Sequence, residues 1–428
     1  MALERGRDAG RRRTPLTDAP GEATSRPGSD GSPGTGSPPV RVLVLNAGSS
    51  SIKASVVEVG AGPIASSPPL PLARAAVERD DGVSIDASAA VPELLDRLAA
   101  DGVAPSSLAA VAHRVVHGGT RLTAPTSVDR DVLATIETLS SLAPLHNPGA
   151  AATIRAGLAA LPDVPHVACF DTGFHATLPE VAWRYPVPGR WFEGWGVRRF
   201  GFHGLAVEWA TERAAALLGR PAQDFGLVVA HLGGGSSITA VGGGRSVWTS
   251  MGMTPLEGVM MGSRGGSIDP GVLIQLLEDR RLDLEGLRRD LERGSGLLGV
   301  SGRSADVREL EAAAAGGDER SRLALAMFAD RAAAGIAAAA TRLERLDALV
   351  FSGGIGENAG RLRAAIVGRL GVLGLDPISE SETGRDRVLD PVEGPEPHVA
   401  PGAGDRPVTL RVEAREDLVA ARAAAGFV

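Results

Sequence analysis

Lysine and cysteine each occur once in this chain of 428 residues, as Lys53 and Cys169. A single cysteine excludes an internal disulfide and is typical of a reducing compartment. No run of about 18 apolar residues occurs, so a membrane-spanning helix is not expected. The formal net charge of −7 argues against a nucleic-acid partner or an anionic membrane surface. These absences predict a soluble, cytoplasmic protein.

The length suits two domains, and 43% hydrophobic residues are enough to fill their cores. Residues 1–39 are rich in Pro, Gly, Ser and Arg, so this tail is expected to be disordered. From Val40 onward, strands alternate with helices, which predicts an α/β fold. We expect strands within 40–59, 108–119, 166–174, 226–248 and 347–356, helices within 92–101, 204–219, 271–294, 319–345 and 416–427, and an exposed loop over 376–408.

Two turns rich in glycine, with serines in or beside them, at 46–51 and 231–235, each join a pair of apolar strands. Glycine amides and serine hydroxyls can surround a phosphate group. Neither turn has the spacing of a P-loop, and no G-x-G-x-x-G lies between a strand and a helix. A strand–turn–strand phosphate site is therefore the functional interpretation, and an ordinary tight turn is the alternative. The repeated plan predicts two similar domains that face one another.

Lys53 follows the first of these turns, in a chain whose 44 basic residues are otherwise all arginines. A compact ammonium group can reach between phosphate oxygens as a point charge. A forked guanidinium has a different geometry and reach. We therefore expect Lys53 to face phosphate.

Eight motifs resemble those of the acetate kinase (acetokinase) family in sequence and in order: NAGSSSIK, HRVVHGG, APLHNPGA, FDTGFHATLP, RRFGFHG, HLGGGSS, TSMGMTPLEGVMMGSRGGSIDPG and FSGGIGEN. The resemblance covers residues 41–428. It implies two duplicated α/β domains of the actin/sugar-kinase (ribonuclease H-like) type with a nucleotide cleft between them. The N-terminal domain would comprise residues 40–173 plus about 415–428. The C-terminal domain, residues 174–414, would carry the nucleotide contacts.

The same resemblance implies reversible, direct in-line transfer of a phosphoryl group from Mg-ATP to acetate, giving acetyl phosphate and ADP. It also implies a homodimer, with Mn²⁺ as a substitute for Mg²⁺. Asn46 and Glu416 would hold the metal ion. The residues implied to bind the nucleotide are Ser49, Ser51, Lys53, His231, Leu232, Gly233, Gly234, Gly235, Asp306, Val307, Arg308, Gly354, Ile355, Gly356, Glu357 and Asn358.

A carboxylate and a phosphoryl group both carry negative charge, so catalysis between them must depend on positioning and charge neutralisation. Arg114 and Arg264 resemble the two arginines that grip these groups, and a forked guanidinium suits both ligands. His203 resembles the residue that stabilises the transferring group, and Asp171 resembles the essential acid. Catalysis is therefore assigned to Asp171, His203 and Arg264. The expected substrate contacts are Arg114, Val116, Leu145, Phe202 and Pro255, the last four lining a small acyl pocket.

Seven of the eight histidines lie between His113 and His231, and His113 and His117 are four residues apart. Such clustering is compatible with zinc. However, no cysteine accompanies these histidines, and their segment is strand-like rather than an H-E-x-x-H helix. Packed or cleft histidines are the better interpretation, with His203 as the catalytic one.

Several positions depart from the family pattern: Gly234 replaces an asparagine, Trp248 and Ser267 each replace an acid, and FHGTSH has become FHGLAV. The charged catalytic positions remain, so activity is expected. Propionate or butyrate could still be preferred over acetate, because one methylene discriminates only ~10–200-fold. A weakened nucleotide-binding module is an alternative from another class. A sugar kinase is disfavoured because paired arginines suit an anion better than a polyol.

Overall fold

Two mixed six-stranded β-sheets with flanking helices make up the computed structural model. The structure describes residues 38–48, 51–60, 68–78, 85–380, 386–389 and 406–428. Residues Pro38–Val428 form one compact unit. The tail predicted to be disordered, residues 1–39, lies outside the described residues except for its last two positions.

The first sheet has the strand order β3-β2-β1-β4-β6-β5. The hairpin β1–β2 is antiparallel and places Asn46 opposite Lys53, whereas β4 and β6 run parallel to β1. The strands of this sheet are β1 (Val40–Ala47), β2 (Ser51–Val59), β3 (Ala73–Glu78), β4 (Ala110–Val115), β5 (Thr126–Ser127) and β6 (His166–Phe170).

The second sheet repeats this plan, with the order β11-β12-β10-β7-β8-β9. Its hairpin β7–β8 is antiparallel, and β10 and β12 run parallel to β7. The duplication predicted from the two glycine-rich turns is therefore confirmed. Its strands are β7 (Gly226–Leu232), β8 (Ser236–Gly242), β9 (Arg245–Thr249), β10 (Ala348–Ser352), β11 (Arg387–Val388) and β12 (Val408–Arg411).

Several of the fourteen helices in the described residues begin directly after an aspartate. The side chains of Asp86, Asp129, Asp283, Asp306 and Asp318 each accept a hydrogen bond from the backbone of the helix that follows. The helices are α1 (Ala87–Ala100), α2 (Arg130–Thr138), α3 (Asn147–Ala160), α4 (Glu180–Trp183), α5 (Gly189–Trp195), α6 (Gly204–Leu218), α7 (Pro270–Glu278), α8 (Leu284–Arg293), α9 (Gly296–Ser301), α10 (Val307–Ala315), α11 (Glu319–Ala340), α12 (Gly353–Asn358), α13 (Gly360–Val367) and α14 (Glu416–Ala425).

Each sheet packs helices on its outer face, and a shared core lies between the sheets. Helices α1 and α3 cover one face of the first sheet, and α10, α11 and α13 cover one face of the second. The shared core contains side chains of both sheets, such as Val44 and Val229, together with Trp209 of α6 and Val419 of α14. These two helices therefore connect the halves of the molecule.

Two expectations about local structure were wrong. The segment 271–294 is not one helix, because the chain turns at Arg280, whose φ of 54° is left-handed, and Asp283 then caps a new helix. The expected loop over 376–408 is not wholly exposed, since Arg387–Val388 pairs with β12 and Leu389 is buried. Residues 381–385 and 390–405 lie outside the described residues.

Helix α11 is, within the described part of the chain, the one helix long and apolar enough to cross a membrane by length and composition. A core helix passes the same test. The buried residues of α11 include Ala324, Phe328, Ala332 and Ile336, spaced to share one face that packs on the second sheet. Its apolar character is therefore explained by its place in the core.

Candidate active site

Four residues predicted to act meet at the end of the first sheet. Asn46 is the last residue but one of β1, Arg114 lies beside it on β4, and Asp171 directly follows β6. Arg114 donates from Nε and Nη2 to the two carboxylate oxygens of Asp171 at 2.9 and 2.7 Å, and from Nη1 to Asn46 Oδ1 at 3.1 Å. Its Nε also lies 3.0 Å from Oε2 of Glu416, at the start of α14. Because β1, β4 and β6 are parallel, their carboxyl ends lie side by side and bring these groups together.

The charges in this cluster are strongly coupled because they are shielded from water. Burial alone would lower the pKa of Arg114, but the neighbouring Asp171 and Glu416 carboxylates raise it. Burial raises the pKa of Glu416, as do Asp171 and Asp417, whereas Arg114 and Lys53 lower it. Two carboxylates and a single guanidinium thus share the site, and a further cation would balance them.

Divalent magnesium binds oxygen ligands, usually one or two carboxylates together with substrate phosphates and water. Asn46 Oδ1 and the carboxylates of Asp171 and Glu416 all approach Arg114, so oxygen donors of this kind are gathered here. No group of three or more His, Cys, Asp or Glu residues that could hold a metal occurs in the described ranges. The oxygen ligands gathered here fit a metal ion whose coordination is completed by oxygens of the substrates.

Lys53 reaches the same region from β2. Its side chain is exposed and lines a cavity of about 490 Å³ together with Asn46, Arg114 and Glu416. The first turn closes with a hydrogen bond from the Gly48 amide to the Ser51 carbonyl at 2.7 Å. The predicted nucleotide contact Ser49 lies outside the described residues.

His203 stands directly before α6, in the left-handed conformation with a φ of 61°. Its Nδ1 lies 2.9 Å from the Ser237 hydroxyl of β8, and its ring lies 4.6 Å from that of His231. Burial, followed by the nearby His231, Arg114 and Arg264, holds the pKa of His203 well below its usual value. The imidazole is therefore neutral at physiological pH and can act only as a neutral donor or acceptor.

Arg264 meets His203 at Gly235, the last residue of the second turn. A Cβ at Gly235 would lie 2.7 Å from Arg264 Nη2 and 3.3 Å from His203 Nε2. Glycine therefore lets both groups approach this turn, whereas a side chain would displace the Arg264 guanidinium. Arg264 also donates from Nη1 to the Pro255 carbonyl at 2.8 Å, and burial lowers its pKa.

The four residues expected to line an acyl pocket fall into two pairs. Val116 and Phe202 are buried in a small apolar cluster with Ala143, Met251 and Met261. Leu145 and Pro255 line a cavity of about 400 Å³ that Arg264 also borders. Of the two pairs, only Leu145 and Pro255 line the cavity beside Arg264.

His146, one of the histidines expected to be packed or to lie in the cleft, also borders that cavity. Burial, Arg114 and Arg264 lower its pKa to about 4, so a neutral imidazole lies near both arginines. The available signal was its place in APLHNPGA, next to Leu145 and directly before α3.

A third cavity, of about 610 Å³, gathers residues predicted to bind the nucleotide: Gly233, Gly234, Asp306, Val307, Arg308, Gly354, Ile355 and Asn358. A side chain at Gly234 would meet open space, so the asparagine of the family pattern would fit there. Glu357 and Gly356 do not line this cavity. The Glu357 carboxylate instead accepts a hydrogen bond from the Ala414 amide at 2.9 Å.

The clustered histidines have other partners. His113 Nε2 lies 2.9 Å from His166 Nδ1, and burial, with His166, lowers the pKa of His113 to about 3. His117 packs edge-on against Phe200 and Phe202. These side chains fill the core beside the site.

Two other departures from the family pattern, Trp248 and Ser267, have structural partners. Trp248 pairs with Ala240 between β9 and β8 and packs against the core of the second sheet. The Ser267 hydroxyl accepts a hydrogen bond from the Gly258 amide at 3.2 Å. Among the described residues, neither side chain forms a hydrogen bond with Arg114, Arg264 or His203.

Two similar sheets, two glycine-rich turns and arginines gathered beside a neutral histidine define a phosphotransferase of the actin and sugar-kinase fold. The chain belongs to the acetokinase family, whose model matches residues 41–390. It is 44% identical over 399 residues to an acetate kinase of Deinococcus radiodurans, covering 90% of this chain and 98% of that protein. The family predicted from the eight motifs is thus confirmed.

Solved structures agree. The crystal structure of Porphyromonas gingivalis acetate kinase is 31% identical with a TM-score of 0.77, covering 90% of this chain and 99% of that chain. A propionate kinase from Francisella tularensis is 32% identical with a TM-score of 0.77, covering 91% and 100%. The predicted fold class is confirmed, while the domain boundaries at 173 and 414 stay predictions.

Proposed function

We propose that this protein is a cytoplasmic acetate kinase, which transfers the γ-phosphoryl group of Mg-ATP reversibly to acetate. The observation that carries this proposal is the meeting of Arg264 and the neutral His203 at Gly235 of the second phosphate turn. Arginines and hydrogen-bond donors around one glycine turn suit two anionic reactants. The related acetate kinases support the choice of acid.

In the proposed reaction, an acetate oxygen attacks the γ-phosphorus as the bond to the β–γ bridging oxygen breaks, and ADP leaves with that electron pair. Arg264 and Arg114 neutralise the charge on carboxylate and phosphoryl oxygens, which is the main requirement of such a transfer. Magnesium, when bound, supplies further charge neutralisation to the phosphates. Asn46 and Glu416 would hold it. Asp171, which accepts hydrogen bonds from Arg114 at both carboxylate oxygens, would position that guanidinium for the substrates.

His203 would donate a hydrogen bond from Nε2 to a phosphoryl oxygen. If the Ser237 hydroxyl donates to Nδ1, the proton of the neutral ring is placed on Nε2, the atom that faces Gly235. The nucleoside would occupy the cavity between Asp306–Arg308 and residues 354–358. Gly233 and Gly234 border the same cavity and would approach the phosphates.

The decisive assay traps acyl phosphate with hydroxylamine from purified protein, Mg-ATP and one of acetate, propionate, butyrate or glycerol. We expect hydroxamate and ADP with acetate. With glycerol, whose phosphate ester could not form a hydroxamate, we expect no release of ADP. A higher kcat/KM with propionate or butyrate would favour the propionate or butyrate kinase alternative, which the spacious cavity beside Leu145 and Pro255 permits. Nucleotide binding without hydroxamate from any acid would leave a nucleotide-binding module.

Lys53→Arg is expected to raise KM for ATP roughly tenfold, the effect of weakening one charge-assisted hydrogen bond. The exposed side chain contributes little to packing, so the melting temperature should hold within a few degrees. Arg41→Lys, the reverse exchange at the other end of the hairpin, is the control and should leave both quantities unchanged. Normal ATP kinetics in Lys53→Arg would refute a phosphate contact.

We also propose a homodimer that buries α7. No residue of this apolar helix is buried, and Val272, Ile274 and Leu277 are exposed. Adjacent exposed apolar side chains of this kind mark an association surface. We expect light scattering to give twice the chain mass of 43.8 kDa and Ile274→Asp to give the single mass.

Leu323→Asp is the matched control, because Leu323 is 54% exposed on α11 and Ile274 is 57% exposed on α7. This variant should remain dimeric. A wild-type monomer, or a dimer that survives Ile274→Asp, would exclude association through α7.

A further inference from the structure

Arg199 ties down a loop that leads to the proposed substrate site. From Nη1 it donates to the carbonyls of Thr249, Ser250 and Met251 at 3.2, 2.8 and 2.8 Å. We call residues 250–257 the Pro255 loop. The side chain of Arg199 is only 12% exposed, so these bonds are largely shielded from water.

Glu257 and Tyr185 complete the fastening at the other end of the Pro255 loop. Arg199 Nη2 lies 2.5 Å from Glu257 Oε1, and the Tyr185 hydroxyl donates to Glu257 Oε2. The same hydroxyl accepts a hydrogen bond from the Met253 amide at 2.9 Å. A Cβ at Gly252 would overlap both the Glu257 carboxylate and the Tyr185 hydroxyl, so glycine is required there. The three side chains therefore form a closed network around the loop.

The Pro255 loop in turn determines where Arg264 lies. The Pro255 carbonyl accepts the hydrogen bond from Arg264 Nη1 at 2.8 Å, and Thr254, Pro255 and Leu256 line the cavity beside Arg264. Arg199, Glu257 and Tyr185 are not among the residues that line this cavity. They can reach the substrate only through the loop.

We propose that Arg199, Glu257 and Tyr185 are positioning residues that hold Arg264 and Pro255 in place for the carboxylate substrate. This inference rests on the proposed function. Ionised hydrogen bonds such as Arg199–Glu257 are strong and directional, so they fix the loop geometrically. A displacement of about 1 Å at a reacting group can cost ~10²-fold in rate. The nucleotide residues at 306–308 and 354–358 are not held by this network.

The test is Glu257→Gln, which removes the charge and keeps the shape of the side chain. We expect kcat/KM for acetate to fall about 10–100-fold, with KM for ATP within about twofold. Tyr185→Phe should give a smaller loss in the same direction. Glu180→Gln is the matched control, since Glu180 pairs with Arg184 at 2.8 Å on the exposed helix α4 and should leave both constants unchanged.

A double-mutant cycle separates positioning from a general structural role. If Glu257 acts through Arg264, Glu257→Gln should cause little further loss in an Arg264→Ala background. Additive losses, or a parallel rise in KM for ATP, would overturn the inference. If the wild type is active and Glu257→Gln leaves the kinetic constants unchanged, the positioning role is refuted and the proposed function stands. If the wild type phosphorylates no acid, the proposed function is refuted and the inference fails with it.

Discussion

Arg264→Ala is expected to lower kcat/KM for acetate by roughly 10³–10⁵-fold, the range for an arginine that neutralises a transferring phosphoryl group. The Arg264 guanidinium lies against Gly235, the glycine that His203 also approaches. It also borders the apolar cavity where the acyl group would lie. Acetyl hydroxamate formation at saturating ATP measures the effect.

Two further variants define the origin of this loss. Arg264→Lys keeps the charge but not the fork that also donates to the Pro255 carbonyl, so it should recover only a small part of the activity. Arg289→Ala removes an exposed arginine of α8 that pairs with Asp290, and it should be active. An Arg264→Ala enzyme within tenfold of wild type would mean that Arg114 alone neutralises the transferring group.

The sequence could predict the parts of the fold that depend on neighbouring residues. The glycine turns between apolar strands indicated both hairpins, and Asn46 and Lys53 do lie opposite each other across the first one. The break at Arg280 could not be predicted in this way, because a left-handed arginine carries no local sequence signal.

The candidate site was predictable as a set of residues but not as a network. Eight motifs named Arg114, Asp171 and Arg264, yet a motif does not show which side chains bond to each other. The Arg199–Glu257–Tyr185 network joins residues up to 72 positions apart and contains the single tyrosine of the chain. The sequence likewise could not show that His146 lies near Arg114 and Arg264, because both arginines are distant from it in the chain.

The two charged arginines and the neutral His203 have separate roles in this site. Arg114 is paired with carboxylates, so its charge is already partly neutralised before substrates bind. The bonds of Arg264 go to the Pro255 carbonyl rather than to an acid, which leaves its charge available to an anionic ligand. This difference explains why Arg264 carries the larger predicted effect. It also predicts that His203 beside it must stay unprotonated, since a third cation would be costly there.

His203→Asn is expected to lower kcat by ~10²–10³-fold, the usual cost of losing one donor aimed at developing charge. Asparagine adopts the left-handed conformation of position 203 readily, so the variant should fold normally. Its shorter side chain does not reach the position of Nε2. An unchanged melting temperature with low kcat would therefore identify a lost donor rather than a misfolded loop.

The pH profile tests the protonation state of the same residue. Because the pKa of His203 lies well below 6.5, the ring is neutral above that pH, and protonation would remove activity only as the pH falls through its low folded-state pKa. Wild-type kcat should thus show no titration by His203 between about pH 6 and 8.

Ser237→Ala frees Nδ1 and lets the proton occupy either nitrogen, so it should lower kcat by several-fold without adding a pH step in that range. A limb near pH 6.5 in the wild type that vanishes in His203→Asn would instead make His203 an acid–base catalyst, and neutral hydrogen-bond donation would no longer explain its place beside Arg264.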